Sequence, residues 1–182
     1  MDYVPHMGFL NRDKWVAVRY TMREKVLDIG DDYWIENEQG EKVFKVNGKA
    51  LSVRDALEIE NAGGRTLYRV EWRKLGRDNM GIERDGDTVA KVKKGILPSI
   101  GDRYRVDMDE GDDFIVKGSV MDREYELERD GDKVAEISKK RFKMHDTYGI
   151  EVGAKQDDAL VIAICVCVEQ MAHGGEDQRH DR

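Results

Sequence analysis

The sequence predicts a mainly β protein: a closed barrel of about twelve strands enclosing one hydrophobic C-terminal α-helix. Three observations carry that expectation. Short segments of mixed polarity recur along the chain between glycine-bearing turns. Four of those turns open the same strand template. One run, Ala159 to Val168, is apolar at ten consecutive positions in a chain that is 38% charged.

Strands are expected at 15–22, 32–36, 42–46, 56–60, 66–73, 79–84, 88–94, 103–108, 113–119, 123–129, 133–139 and 147–153. Turn signals at Asn37–Gly40, Asn61–Gly64, Asp85-Gly86-Asp87 and Asp130-Gly131-Asp132 divide them. Regular short strands in a chain with only two prolines, Pro5 and Pro98, are the pattern of a barrel or sandwich. The repeat sharpens it. Gly40–Val46, Gly64–Val70, Gly86–Val92 and Gly131–Ile137 each place a turn glycine before a strand. Alternation then puts Phe44/Val46, Tyr68/Val70, Ala90/Val92 and Ala135/Ile137 on one face, assigned to the interior. Lys45, Arg69, Lys91 and Glu136 fall on the outer face. The small Ala90 and Ala135 are expected where the helix approaches closely. Gly30–Tyr33 and Gly111–Phe114 echo each other and hint at two related halves. Nothing convincing marks a helical turn at 54–56.

Periodicity does not decide the apolar run, and Val161, Ile162, Ile164, Val166 and Val168 lean toward strand. The flanks point to helix. Asp157 and Asp158 sit where an N-cap and a dipole-favoured acid belong. Glu169–Ala172 continues with helix formers before Gly174-Gly175. A helix apolar on every side must be enclosed on every side. Burying Leu160, Val161, Ile162, Ile164, Val166 and Val168 is worth at most roughly 10–18 kcal/mol, comparable to a whole domain's net stability. Ten apolar residues rise only about 15 Å, half a bilayer core, so no transmembrane span is expected.

At 182 residues the chain is expected to form one domain over 15–173, with an N-terminal extension at 1–14 and a disordered tail at 174–182. Its net charge of −7 is spread along the chain, which argues against nucleic acid as a partner. The first fourteen residues lack the apolar core of a secretory leader. Cys165 and Cys167, two apart on a helix, point to nearly opposite sides and read as small buried hydrophobes. A cytoplasmic location, or one peripheral to a membrane, fits.

No catalytic constellation, metal set or cofactor motif is found, so the chain is not expected to be an enzyme. His6, His145, His173 and His180 lack metal-ligand spacing. His145-Asp146 beside Thr147 and Tyr148 reads as a turn. Asp107, Asp109, Glu110, Asp112 and Asp113 lack the spacing of a calcium loop and read as a solvated turn. The most suggestive polar feature is basic. Lys139, Lys140, Arg141 and Lys143 close one strand, Lys91, Lys93 and Lys94 close another, and Arg73-Lys74 a third. In register they would form a cationic rim suited to acidic lipid head groups or an acidic protein partner. The plain alternative is strand-end lysines that keep a sheet soluble.

Several ordered stretches also resemble one family. Tyr20–Lys25, Val43–Lys49, Tyr125–Arg129, Val134–Lys140, Asp146–Gly149 and Asp157–Leu160 resemble LURP-one-related proteins, with the likeness running from Trp15 to Ala172. The resemblance implies the tubby C-terminal-like fold, also proposed for phospholipid scramblases, a twelve-stranded barrel around a central helix. Plant members are associated with pathogen defence, tubby proteins with membrane phosphoinositides and scramblases with lipid movement. It implies no catalytic residues, and nothing here matches the phosphoinositide-binding residues of tubby proteins. The function expected is therefore a non-enzymatic binding or scaffold module for acidic lipid or protein. A scramblase-like membrane-active protein is the alternative, and a hydrolase a distant third.

Overall fold

Side chains alternate along a strand, so a half-polar strand has one face to bury, and twelve such strands bury theirs together only by curving around a common filling. A computed structural model of the chain describes residues 16–23, 32–48, 56–73, 79–95, 102–140 and 147–173. The strands are β1 (Ala17–Arg23), β2 (Tyr33–Asn37), β3 (Lys42–Asn47), β4 (Ala56–Asn61), β5 (Thr66–Trp72) and β6 (Asn79–Arg84). They continue as β7 (Asp87–Lys94), β8 (Asp102–Met108), β9 (Phe114–Ser119), β10 (Glu124–Arg129), β11 (Asp132–Ser138) and β12 (Thr147–Gly153). One helix, α1 (Asp158–His173), follows. Every expected strand is present within two residues of its expected bounds, and Ala56 opens β4. The segments 1–14 and 174–182, with His6, His145, Asp146 and His180, lie outside the described residues.

Each strand pairs antiparallel with its sequence neighbours, and β1 pairs with β12 to close the barrel. The inner face is the one the repeat assigns. Val46, Tyr68, Val70, Ala90, Val92, Ala135 and Ile137 are buried, and Phe44 packs partly buried against them. Lys91 is exposed, while Lys45, Arg69 and Glu136 are half-buried on the outside.

The repeat also has a backbone signature. The register slips at Ile35/Glu36, Ile59/Glu60, Ile82/Glu83 and Leu127/Glu128, each just before a turn. A bulge adds local twist, and four at one level help to coil the sheet. In two of these hairpins Asn37 and Asn61 fold the turn by accepting backbone N–H groups on Oδ1. In the other two an Asp-Gly pair does so with both residues left-handed: Asp85 (φ 53) with Gly86 (φ 91), and Asp130 (φ 52) with Gly131 (φ 85).

The apolar run is helical despite its β-branched content, for a tertiary reason. A closed barrel offers no free edge to an inner strand, whereas a helix satisfies its own backbone. Asp157 caps it, accepting the Leu160 N–H on Oδ1 at 3.0 Å, and every residue from Ala159 to Gln170 is buried. The helix backbone runs closest to β5, β6 and β7. Ala90 on β7 therefore lies where a small residue is expected. Ala135 on β11 is also fully buried, but β11 is not among the strands that the helix backbone approaches most closely.

Antiparallel order gives the barrel two unlike ends. Tight turns between even and odd strands gather at one, where the helix enters. Long connections gather at the other, where β7 and β11 finish and the helix leaves.

Candidate functional site

Because β7 and β11 are both odd-numbered, they deliver their closing lysines to the same end of the barrel, four strands apart. Lys91, Lys93, Lys94, Lys139 and Lys140 are all exposed. Arg141 and Lys143 continue the run in sequence but lie outside the described residues. The cations are not equivalent. Lys93 Nζ is held by Asp107 at 2.6 Å, and Asp107 also accepts from Arg105 Nε at 2.6 Å. These contacts, Lys93 first, hold the Asp107 carboxyl below its ordinary pKa against some opposition from burial. Arg105 reaches Asp113 at 2.8 Å, and Asp113 also accepts the Met108 N–H. The acidic run thus builds a turn, and among the described residues no group of three metal-ligating side chains converges. Arg73 is likewise committed. It lies across the outer face over Gly81, whose missing side chain leaves it room, and donates to Thr88 Oγ1 at 2.7 Å. Lys91, Lys94 and Lys140 remain as exposed ammonium groups that no ion pair among the described residues holds.

Inside the same end lies a polar cluster that sequence reasoning missed. Glu169, one residue past the apolar run, has 1% side-chain exposure. It accepts from Arg123 Nε at 3.1 Å and from the Tyr125 hydroxyl at 3.3 Å, and His173 Nε2 lies 3.5 Å away. Arg123 is placed by a turn in which it is left-handed, and its guanidinium also sits 5.5 Å from the Tyr148 ring centre. Among the described residues the buried Tyr33 hydroxyl has no hydrogen-bond partner. Burial, then the Glu169 charge, push its pKa well up, and burial does the same for Tyr125 and Tyr148. Burial also raises Cys165 and Cys167, which keeps both thiols protonated and inert.

At the tight-turn end, tyrosines latch the start of the helix. Tyr68 donates to Asp157 at 2.7 Å, Arg84 joins Asp157 at 2.8 Å and also contacts the Tyr68 hydroxyl, and Tyr20 donates to Asp158. A cleft of about 350 Å³ opens here between Arg65, Thr66, Tyr68, Arg84 and Asp157. Burial opposes ionisation of Asp157, but the Tyr68 hydroxyl, the Leu160 amide and Arg84 outweigh it and lower its pKa. Burial, then the bond to Asp157, raise Tyr68. Both groups are driven away from neutrality, opposite to the tuning of a general acid or base.

This geometry defines a class: a closed antiparallel barrel threaded by its own helix, with ionisable groups spent on holding the helix in place. The chain belongs to the LURP-one-related family, whose profile matches residues 18–169. Among curated proteins it is similar to "Uncharacterized protein YxjI" of Bacillus subtilis (strain 168), at 24% identity over 159 residues, covering 86% of this chain and 95% of the relative. Among solved structures it is similar in fold to the X-ray structure of a protein from Arabidopsis thaliana. That match has a TM-score of 0.66 and 18% identity, and covers 87% of this chain and 93% of the other. Among the described residues no helix is long and apolar enough to cross a membrane.

Proposed function

We propose that the protein is a non-enzymatic module that docks on anionic membrane surfaces through the long-connection end of its barrel. The carrying observation is the delivery of Lys91, Lys94 and Lys140 to one end as exposed cations that no ion pair among the described residues holds, in a molecule of net charge −7. Lys93, Lys139, Arg141 and Lys143 complete the assigned rim, with Lys93 shared with Asp107. Each lysine near an anionic leaflet contributes about 1 kcal/mol, so such a rim binds reversibly and loses its grip in salt. Two features support a non-catalytic role: Glu169, Tyr125, Asp157 and Tyr68 are engaged in structural bonds around the helix, and Asp157 and Tyr68 in the cleft are tuned away from proton transfer.

Flotation with neutral and anionic vesicles at low and high salt tests the proposal. Binding confined to anionic vesicles and released by salt is expected, and Lys139→Ala/Lys140→Ala/Arg141→Ala should weaken it while leaving thermal stability nearly unchanged. Equal binding by this variant would sink the site assignment. Salt-resistant binding to both vesicle types would favour the scramblase-like alternative, in which the apolar helix leaves the barrel. No binding to either would turn the search toward a protein partner.

A further inference from the structure

The barrel contains two copies of one hairpin. Ile82-Glu83-Arg84-Asp85-Gly86-Asp87 and Leu127-Glu128-Arg129-Asp130-Gly131-Asp132 differ only at their first residue. Both copies slip register between the aliphatic residue and the glutamate, and both turn through a left-handed Asp-Gly pair. In both, the arginine follows an inward-facing aliphatic residue by two positions and so shares its face at the tight-turn mouth. Each guanidinium lies over an aromatic ring of the preceding strand. Arg84 stands 4.5 Å from the Tyr68 ring centre and Arg129 4.1 Å from that of Phe114.

The copies differ in what completes the arginine. Arg84 receives the Asp157 carboxylate from the start of the helix, which runs nearest that side of the barrel. Arg129, on β10, stands four strands further round the barrel. Its Nε–H is buried without an acceptor, and among the described residues no carboxylate pairs with it. The acids around it are otherwise disposed: Glu128 is held by Lys117, while Asp130 and Asp132, the cross-strand neighbour of Arg129, are exposed. A buried guanidinium N–H with no acceptor loses the hydrogen bond it makes in water, and stacking on Phe114 offsets only part of that.

We propose that Arg129 is the receptor for a carboxylate brought from outside the barrel, as Arg84 is for the carboxylate of Asp157. Stacking fixes the plane of the guanidinium fork, so a planar carboxylate meets it edge-on through two parallel hydrogen bonds. The negative charges of Asp130 and Asp132 select against a dianion. The ligand class is therefore a monoanionic carboxylate rather than a phosphate monoester. This site lies at the opposite end of the barrel from the lysine rim, and neither assignment depends on the other.

The test is a titration of the full chain, labelled with ¹⁵N-arginine, with acetate and separately with inorganic phosphate at constant ionic strength. A saturable shift of the Arg129 Nε–H resonance with acetate is expected, with little change at Arg84 and a weaker response to phosphate. A non-saturating shift, an equal shift at Arg84, or a stronger response to phosphate would overturn the proposal. Thermal denaturation gives a second readout. Acetate should raise the Tm of the wild type over a chloride control, and Arg129→Lys, which keeps the charge but loses the fork, should abolish the rise. An undiminished rise in Arg129→Lys would also overturn it. If that variant does not fold, the wild-type titration decides alone.

Discussion

Replacing Arg123 with Met strips a guanidinium partner from a carboxylate that has 1% side-chain exposure. Glu169 would keep the Tyr125 hydroxyl and the edge of His173 but lose the guanidinium that bonds it at 3.1 Å. Breaking a buried pair from one side costs about 3–5 kcal/mol, because the surviving charge is stranded in a poor solvent. In a chain of this length each kcal/mol moves Tm by about 2–4 °C, so Arg123→Met should lower it by about 6–20 °C. Glu169→Gln is milder, about 1–3 kcal/mol, since the amide still accepts from Tyr125 and Arg123 retains 12% exposure. The double variant removes the stranded charge as well and should be more stable than Arg123→Met alone. Denaturant unfolding of the three variants closes the cycle. If the single effects add to within about 0.5 kcal/mol, the two residues do not act as a buried unit and the reasoning fails.

Three further outcomes follow from the geometry. Gly118 has φ +117, and a Cβ there would lie 2.5 Å from the Glu124 carbonyl oxygen and 2.8 Å from Tyr125 Cα; Gly118→Ala should cost at least about 2 kcal/mol, read as a drop in Tm. Asp157→Ala removes an N-cap and its bonds to Tyr68 and Arg84, with a loss of about 1–2 kcal/mol at neutral pH. Because the folded pKa of Asp157 is depressed, that contribution is present above the ordinary carboxylate pKa and fades as pH falls through the folded value. Unfolding curves of wild type and variant should therefore converge in acid. Glu83 is the reverse case, its pKa raised first by burial and then by Glu71. The stability it contributes while protonated is lost as pH rises through the folded value, so Glu83→Gln should gain on the wild type between acid and neutral pH, measured as the shift in guanidinium midpoint.

The strands were legible because their signal is local: each turn chemistry and each alternating pair lies within eight residues or so of the next. The helix was legible only through Asp157 at its start and Glu169–Ala172 at its finish, since its body carries strand-like residues. Asp157 is indeed the cap. Sequence showed Glu169 only as a helix former. Its partner Arg123 is 46 positions away, and Tyr68 is 89 from Asp157, so no local pattern joins either pair. The same limit governs the lysines. Antiparallel order places β7 and β11 at one end by counting alone, but the neutralisation of Lys93 by Asp107 depends on the register of an adjacent strand. Ala135 shows how composition misleads: a small residue on the inner face does not by itself mark the strand that the helix approaches most closely.

The closing of β1 on β12 has a kinetic consequence. The Tyr148 hydroxyl bonds to Met22 across 126 residues, and the seam cannot form until β12 has been synthesised. The helix that fills the centre follows later still. A chain emerging from a ribosome therefore presents eleven strands as a growing sheet, with a bare edge on each side and an uncovered greasy face, before anything can seal it. Most strand pairs are hairpins between sequence neighbours, but the β1–β12 seam spans nearly the whole chain, so the closing step carries the large loop-closure cost. The interval before sealing is when the protein is most exposed to aggregation. Substitutions that weaken the grip of the barrel on its last-made segment should accordingly lower soluble yield more steeply than their effect on the finished structure implies.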